Sequence, residues 1–470
     1  MHRFARHNAG PDARRHPRPT MVKIHVEESL GANPGDAALN PADPVAMGVP
    51  ATLAPGFLGS SSGRAFRALV HRPYRLLFAA FLVNQTGFWI SHVSMQGLMV
   101  GLSHNRPIWL GLLFFFLFIP AFALAPLAGV AADRYDRKRI MFSSYGLVAA
   151  LSAALAAFTA LNWITAPGLL ALALALGTCF AFAGPASFAL AANAVPDADM
   201  PSAVSLQSAA NNLTRVVGPV AATPFVANGH FEWSFLTFMV AALCAAVLIG
   251  LMRVTPYEAE PEDGGILSRL AVGFVHARER RPALPALAMV ATLSLFGVSH
   301  SAILSVFAEH ELGSARYFPW MVVATGAGAM LGALSIGYRS RGPSMQAAAV
   351  LMLGYSAAMA VFSSARALPL ALGSQFVIGW TYFAVMTSLQ TLIQSIVHES
   401  KRGRVMALFQ VAWAGLVPWG GLGMGAAASA IGETATLAAA AGVCAVYAAG
   451  ALIWARSSLA LEPAPDGGLY

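Results

Sequence analysis

Long apolar stretches separated by short polar segments make up the chain from about residue 74 to residue 456. Each stretch has roughly 20 or more residues, which is the length that an α-helix needs to cross a hydrocarbon core about 30 Å thick. Among the charged residues, only Arg215 falls well inside a stretch. The pattern therefore predicts an all-α membrane protein that crosses the bilayer many times.

The stretches form a repeat. When the third to sixth stretches are shifted by 202 residues, they coincide within a few residues with the ninth to twelfth. A six-helix unit repeated in the same orientation is typical of transporters built from two helical bundles, with the binding site between the bundles. The twelve predicted transmembrane helices cover residues 74–102, 108–131, 139–160, 166–193, 202–227, 233–253, 284–308, 318–338, 345–364, 368–396, 404–430 and 434–456.

The polar segments divide the chain into five predicted regions. The first is rich in Pro, Gly, Ala and Arg, which predicts a disordered arm, and it lacks the apolar core of a signal peptide. Met1 and Met21 are both compatible with it as the start. The regions are a cytoplasmic arm (1–65), an N-terminal six-helix bundle (66–253), a cytoplasmic linker with an amphipathic helix (254–283), a C-terminal six-helix bundle (284–456) and a cytoplasmic tail (457–470).

Basic residues are concentrated in alternate loops. From residue 64 onward, the loops on one side of the predicted helices hold 19 Lys and Arg, whereas those on the other side hold only Arg106, Arg316 and Arg366. Because cytoplasmic loops carry the excess of Lys and Arg, this asymmetry predicts that both termini lie in the cytoplasm.

Composition excludes several classes of protein. The chain is 57% hydrophobic and 11% charged, far from the roughly 25% charged residues of a soluble domain. The net charge of +8 does not indicate nucleic-acid binding, because the basic residues are spread over alternate loops instead of one patch. Cys179, Cys244 and Cys444 lie in apolar stretches without metal-ligand spacing, so we expect no metal site, disulfide or cofactor.

The segment after the second predicted helix runs from Gly129 to Arg139 and reads GVAADRYDRKR. It resembles the cytoplasmic loop signature of the major facilitator superfamily: glycine, three residues, aspartate, arginine and a basic cluster. The resemblance implies a gate in which Gly129 allows close helix approach and Asp133 pairs with a basic residue across the bundle. The family usually has a second glycine where Asp136 stands, and the alternative is a basic loop that only sets topology. The predicted gate residues are Gly129, Asp133, Arg134, Arg137 and Lys138.

Three further segments narrow the resemblance, which covers about residues 66–456. VPDADMP from Val195, NLTRVVGP from Asn212 and RGRVMAL from Arg402 resemble the branch that contains the enterobactin exporter and the macrolide efflux proteins. This implies a monomeric secondary transporter of the bacterial inner membrane. It would export a small amphipathic or anionic, siderophore-like metabolite, or a drug, by alternating access and proton coupling. No phosphate-binding loop indicates direct use of ATP. An importer of a nutrient metabolite is the alternative, and a polytopic membrane enzyme is a more distant one.

Proton coupling needs a titratable group in the membrane. The related branch often has Gly-Asp-Trp in the first helix, but this chain has Gly87-Phe88-Trp89, so that carboxylate is absent. Histidine titrates near neutral pH. The candidate proton carriers are His92, His300, Glu309 and Glu311; alternatively, the histidines only donate hydrogen bonds to neighbouring helices.

Arg215 lies about 13 residues into the fifth predicted helix, roughly 20 Å from its cytoplasmic end. A charge at that depth is costly and indicates a function. Either it faces the cavity and attracts a carboxylate or catecholate, or it is held by backbone carbonyls and by Asn211 or Asn212, beside a predicted kink at Gly218 and Pro219.

Other polar and aromatic side chains are predicted to line the central cavity, although in membrane proteins such residues also hold helices together. Gly326, Gly328 and Gly332 are predicted to allow close packing. The predicted cavity residues are Asn84, Gln85, Gln207, Asn211, Arg215, Gln375, Tyr382, Gln390, Gln394, Gln410, Trp413 and Trp419.

Overall fold

The computed structural model describes residues 66–253, 274–275, 277–278, 282–337, 344–397 and 399–460. For residues 133, 333–334, 336–337, 399–403 and 458–460 within these ranges, only the backbone is described. The predicted arm, almost all of the linker and most of the tail lie outside the described residues, so the predicted regions remain predictions.

All regular secondary structure in the described part is helical. The first half (66–253) contains α1 Arg72–Leu102, α2 Pro107–Ala123, α3 Ala125–Arg134, α4 Arg137–Ala160, α5 Ala166–Ala194, α6 Met200–Asn228 and α7 Phe231–Gly250. The second half (282–460) contains α8 Ala283–Thr292, α9 Leu304–Leu312, α10 Phe318–Gly337, α11 Met345–Ser363, α12 Leu368–Ile396, α13 Glu399–Gln410, α14 Val417–Ile431 and α15 Glu433–Ala460.

Local sequence explains where the helices begin and end. Proline occupies the first turn of several helices, including α1, α2, α3, α5, α6, α12 and α14, where its missing N–H removes no intrahelical hydrogen bond. The Asp136 carboxylate caps α4 by accepting from the backbone N–H of Lys138 at 2.8 Å. Gly229 ends α6 with a φ of 71°, a left-handed conformation that glycine adopts without steric cost.

Three predicted membrane helices are interrupted. The chain bends by 49° between α2 and α3, because Pro126 has no N–H to bond the carbonyl of the preceding turn. A π-helical turn, Leu293–Gly297, and a 3₁₀ turn, Val298–Ala302, separate α8 from α9. A second π-helical turn, Val411–Gly415, separates α13 from α14.

Nine helical segments of the described part are long and apolar enough to cross a membrane, or ten if the bent α2–α3 pair is one crossing. The all-α membrane fold is thus confirmed, and nine or ten of the twelve predicted crossings are candidates by length and hydropathy. α6 and α10 coincide with the two other predicted helices but are not among the ten. The polar residues of α6, including Gln207, Asn211 and Arg215, lower its hydropathy.

Within each half, the helices pack around buried apolar side chains. α1 packs on α6 and α7, α4 on α5 and α7, and α2 on α5; in the second half α10 and α11 pack on α12, and α11 on α15. A Cβ on Gly328 would overlap the backbone of Phe376, and one on Gly332 that of Trp380. Glycine is therefore required where α10 meets α12, which confirms the predicted close packing.

The two halves meet mainly through α2 with α14 and α6 with α10. We call the end at which Arg72, Arg134 and Arg253 lie the basic end, and the opposite end, with the 103–106 and 364–367 loops, the far end. The N–H of Ile108 donates to Ser429 Oγ at 2.9 Å near the far end. A Cβ on Gly111 would lie 3.0 Å from Gly425 Cα, so α2 and α14 are in backbone contact there.

Candidate functional site

A cavity of about 400 Å³ lies in the basic-end part of the first half. Phe81, Phe88, Phe118, Phe180 and Phe188 supply aromatic rings, and none of the side chains that line it is charged. Such a cavity suits an amphipathic molecule, since it offers apolar surface and a few hydrogen-bonding groups. The structure brings four of the predicted cavity residues together in its wall: Asn84, Gln85, Gln207 and Asn211.

The amide groups of this wall are only partly satisfied. Gln85 Nε2 donates to Asn211 Oδ1 at 3.4 Å, and Gln207 Nε2 donates to Ser187 Oγ at 3.3 Å. Asn84 is 4% exposed, and its Oδ1 has no hydrogen-bond partner. Because an unpaired buried acceptor is costly, a donor on a bound molecule would be favoured at Asn84.

Arg215 lies one helical turn beyond Asn211 toward the far end, on the same face of α6. Its guanidinium carbon is 5.3 Å from the ring centre of Trp89 on α1 and 5.0 Å from that of Phe383 on α12. Both distances are typical of cation–π contacts. Arg215 therefore stands between aromatic rings of the two halves.

Two N–H groups at this position, those of Arg215 and Trp89, lack hydrogen-bond acceptors. Neither Arg215 Nε nor Trp89 Nε1 has a hydrogen-bond partner, and no carboxylate pairs with the arginine in the described part of the chain. Asn211 accepts from Gln85, and Asn212 Nδ2 donates to the carbonyl of Ser208 at 3.1 Å. Two buried N–H donors close to the cavity, one on α6 and one on α1, therefore have no acceptor in the described part of the chain.

Gly218, also on α6, lies against Trp89 of α1, where a Cβ would overlap the tryptophan side chain. The helix is continuous through Pro219. The tight contact explains how the ring of Trp89 is held near Arg215.

The predicted cavity residues of the second half are dispersed. Trp413 Nε1 donates to the hydroxyl of Tyr382 at 2.9 Å. Gln375 is fully buried and lies outside the cavity lining, whereas Gln390 and Gln410 are exposed. Gln394 is half-buried, and Trp419 is exposed beside the ring of Phe115.

The two candidate histidines are enclosed in different surroundings. His92 lies among aromatic rings, with ring centres of Phe88 at 5.6 Å and Phe118 at 5.8 Å, and its Nδ1 has no partner. His300 Nδ1 is 2.9 Å from the carbonyl oxygen of Gly297, and its Nε2 is 3.2 Å from Gln375 Oε1. Only His300 is hydrogen-bonded through both ring nitrogens.

The candidate glutamates at the far end have structural partners. Glu309 Oε2 accepts from the N–H of Ala315 at 2.6 Å. Glu311 Oε2 is 3.1 Å from Arg366 Nε, and its other oxygen accepts from Thr434 at 2.9 Å. These contacts tie α9 to neighbouring loops and to the start of α15.

At the basic end, Arg137 and Lys138 of the predicted gate donate to backbone and side-chain oxygens of their own half. Arg137 Nε donates to the carbonyl of Ala132 at 3.1 Å, and its Nη1 donates to Asn193 Oδ1 at 3.2 Å. Lys138 Nζ donates to the carbonyl of Met252 at 2.6 Å. The cluster thereby joins α3, α4, α5 and the end of α7.

Gly129 and Arg134 of the predicted gate are less engaged in this conformation. A Cβ on Gly129 would have no atom within 4 Å, so the close approach implied by the motif is not made here. Arg134 is exposed. The side chain of Asp133 lies outside the described residues. Asp136 has a local role, as the cap of α4.

A buried carboxylate at the basic end, Asp199, was not predicted as a site residue from the sequence. Asp199 lies 2.8 Å from His71 Nε2 and 3.3 Å from Arg67 Nε, and the nearby Ser202 Oγ accepts from the N–H of Ala68. These contacts fasten the turn before α1 to the start of α6. The acidic residue just before a proline-initiated helix was the available signal.

Comparison with known proteins identifies the family. Residues 77–421 match the model of the Major Facilitator Superfamily. The chain therefore belongs to the major facilitator superfamily, and it is a membrane transporter of that type. The human organic anion transporter MFSD10 has a similar fold, with a TM-score of 0.57 at 17% identity over 81% of this chain and 99% of its own.

Three relatives are similar in sequence. The uncharacterized MFS-type transporter YfiS of Bacillus subtilis is 24% identical over 72% of this chain and 82% of its own length. The staphyloferrin A transporter of Staphylococcus aureus is 27% identical over 49% of this chain and 58% of its own. The multidrug efflux pump Tap of Mycolicibacterium fortuitum is 26% identical over 62% of this chain and 73% of its own.

Proposed function

We propose that this secondary transporter exports small amphipathic molecules that carry an anionic group, in exchange for protons, across the bacterial inner membrane. The observation that carries the proposal is the pair of unpartnered buried donors, Arg215 Nε and Trp89 Nε1, beside the uncharged cavity. The oxygens of an anionic group could accept hydrogen bonds from these donors, and charge-assisted hydrogen bonds are the stronger kind. The aromatic and amide side chains of the cavity would hold the rest of the molecule.

The direction of transport is inferred from charge and from the relatives. If the basic end is cytoplasmic, as the positive-inside rule predicts, the cavity takes up substrate from the cytoplasm. Two of the relatives are named as a staphyloferrin A transporter and a multidrug efflux pump, so siderophore-like metabolites and drugs are the proposed substrate classes.

Alternating access also needs a gate at the basic end. The proposed gate comprises Gly129, Asp133, Arg134, Arg137 and Lys138, and it would close when the two bundles, residues 66–253 and 284–456, approach each other there. Closure would bring another helix against Gly129, which is uncovered in this conformation.

The role of Arg215 can be tested with two ligands of nearly the same shape, 2-naphthalenesulfonate and its neutral sulfonamide. We expect the purified protein to bind the sulfonate about tenfold more tightly, because a hydrogen bond to a charged group contributes roughly 1.5–3 kcal/mol. Arg215→Gln should abolish this preference. Arg215→Lys should keep part of it, since lysine retains the charge but not the planar fork.

Melting curves with each ligand measure both folding and binding. Leu213→Ala, on an exposed part of α6, is the matched control and should behave as wild type. If Arg215 were purely structural, both Arg215 variants would melt at lower temperature and lose affinity for the two ligands in parallel. Equal preference for the sulfonate in wild type and Arg215→Gln would end the anionic-site proposal.

A further inference from the structure

A small polar network is buried in the far-end part of the second half. It joins His300 of the 3₁₀ turn Val298–Ala302, Gln375 of α12 and Thr325 of α10. His300 Nε2 is 3.2 Å from Gln375 Oε1, and Thr325 Oγ1 is 2.8 Å from the same oxygen and 2.9 Å from the carbonyl of Met321. Gln375 Nε2 has no partner.

The surroundings of His300 contain few other polar groups. From α11, the ring of Phe362 lies 6.2 Å away, and the hydroxyl of Tyr355 lies beside Gly297, whose carbonyl bonds the histidine. Tyr355 is the titratable side chain that α11 contributes to this region. The described residues place no carboxylate or basic group against the imidazole of His300. Gln375 is therefore the main side-chain partner of His300.

The hydrogen bonds are compatible with two protonation states. A carbonyl only accepts, so His300 Nδ1 carries a proton toward Gly297 in both. If Nε2 is also protonated, it donates to Gln375 Oε1. If His300 is neutral, its Nε2 lone pair needs a donor, which the amide of Gln375 provides when its oxygen and nitrogen exchange places.

The amide rotation changes the bond to α10. With the amide nitrogen facing the histidine, it also donates to Thr325 Oγ1, whose own proton then goes to Met321. With the amide oxygen facing the histidine, the hydroxyl of Thr325 can donate to that oxygen instead of to the carbonyl of Met321. Each protonation state of His300 thus selects a different hydrogen-bond pattern at Thr325.

Thr325 adjoins the contact between the halves. The next residue, Gly326, packs against α6, where a Cβ would lie 3.1 Å from the carbonyl oxygen of Arg215 and 3.0 Å from Val216 Cγ2. On its other side, the carbonyl of Thr325 lies against Gly379 of α12 so closely that a Cβ there would overlap it. This part of α10 is therefore tightly enclosed between the histidine network and the helix that carries Arg215.

We propose that Gln375 is a positioning residue that couples protonation of His300 to the contact between α10 and α6. The proposal rests on the proton-coupled transport proposed above. It also assigns the proton to His300, whose glutamine partner reaches α10, in preference to His92, whose glutamine partner Gln96 lies on its own helix, or to Glu309 and Glu311.

Gln375→Met removes the amide while keeping a similar shape, and Ser374→Ala is the matched control. Ser374 is the neighbouring buried polar residue on α12, but it bonds only carbonyls of its own helix. We expect Gln375→Met to reduce proton-driven accumulation of 2-naphthalenesulfonate about tenfold and to flatten its pH profile. Exchange without a pH gradient should change less than about twofold. Gln375→Glu should move the midpoint of the profile to higher pH by about one unit, because a carboxylate favours the imidazolium.

NMR of protein containing isotope-labelled histidine gives a readout that does not depend on transport. His300→Gln assigns the signal. In the wild type, the neutral form should be protonated at Nδ1 alone, and Gln375→Met should shift the pH at which Nε2 gains its proton. An unchanged signal and an unchanged pH profile in Gln375→Met, or equal effects of Ser374→Ala, would overturn the proposal. Absence of gradient-driven transport in the wild type would instead contradict the proposed function, while the NMR result would still decide the role of Gln375.

Discussion

At the scale of single residues, the proposed site depends on a few buried polar atoms, Asn84 Oδ1, Trp89 Nε1 and Arg215 Nε, that have no hydrogen-bond partner in the described part of the chain. Asn84, Gln85, Gln207 and Asn211 could be predicted as a group, because the sequence places polar residues in the same parts of two apolar helices. Gln390 and Gln410 met the same criterion but are exposed. Sequence gives the position of a residue along a helix, whereas the rotation of the helix and the conformation of the transporter decide which residues share a cavity.

Asn84→Leu tests whether the unpartnered oxygen of Asn84 serves binding. The variant removes a buried acceptor without a partner, so the melting temperature should be unchanged or higher. Affinity for 2-naphthalenesulfonate and for its sulfonamide should nevertheless fall about fivefold to tenfold, as expected for the loss of roughly one hydrogen bond. Calorimetric titration and melting curves measure the two effects. A clear loss of stability with unchanged affinity would make Asn84 a structural residue.

At the scale of helices, hydrophobic patterning was accurate where the helices are uninterrupted. The predicted helices at 139–160, 166–193, 202–227 and 233–253 differ from α4 to α7 by three residues or fewer at either end. The interruptions at Leu124, Leu293–Ala302 and Val411–Gly415 were missed, because the apolar pattern continues through each of them. Pro126 was a local signal for the first, but the π-helical turns depend on tertiary packing.

Gly111→Ala tests whether the backbone contact of α2 with α14 holds the far end closed. The new Cβ would lie 2.8 Å from the carbonyl oxygen of Gly421 and 3.0 Å from Gly425 Cα, which would disfavour the conformation described here. A cysteine placed near the far end should then react faster with an impermeant reagent, by about tenfold if the conformational equilibrium shifts by about 1.4 kcal/mol.

The matched control is Gly423→Ala on α14, the other helix of this contact, where a Cβ would meet no atom within 4 Å. This variant should label at the wild-type rate. Equal labelling of Gly111→Ala and wild type would show that the contact is not needed for closure.

At the scale of the whole molecule, the all-α membrane fold and the family could be predicted from the apolar pattern and the Gly129 motif, and both are confirmed. The conformation could not, because a transporter that alternates between two states has one sequence for both. The described contacts join the halves near the far end and around Arg215 in the middle of α6, whereas the cavity lies toward the basic end. Together with the predicted cytoplasmic position of the basic end, this arrangement underlies the proposed export.

Transport into proteoliposomes under opposite pH gradients tests the central claim most directly. Purified wild type is reconstituted, and uptake of 2-naphthalenesulfonate is followed with the interior either acidic or alkaline, against protein-free vesicles. Proton exchange predicts accumulation in vesicles with the acidic interior, whichever way the protein is inserted, because outward proton flow then drives inward movement of the anion. Accumulation only with the alkaline interior would indicate proton-linked import, and uptake that does not respond to either gradient would contradict proton coupling.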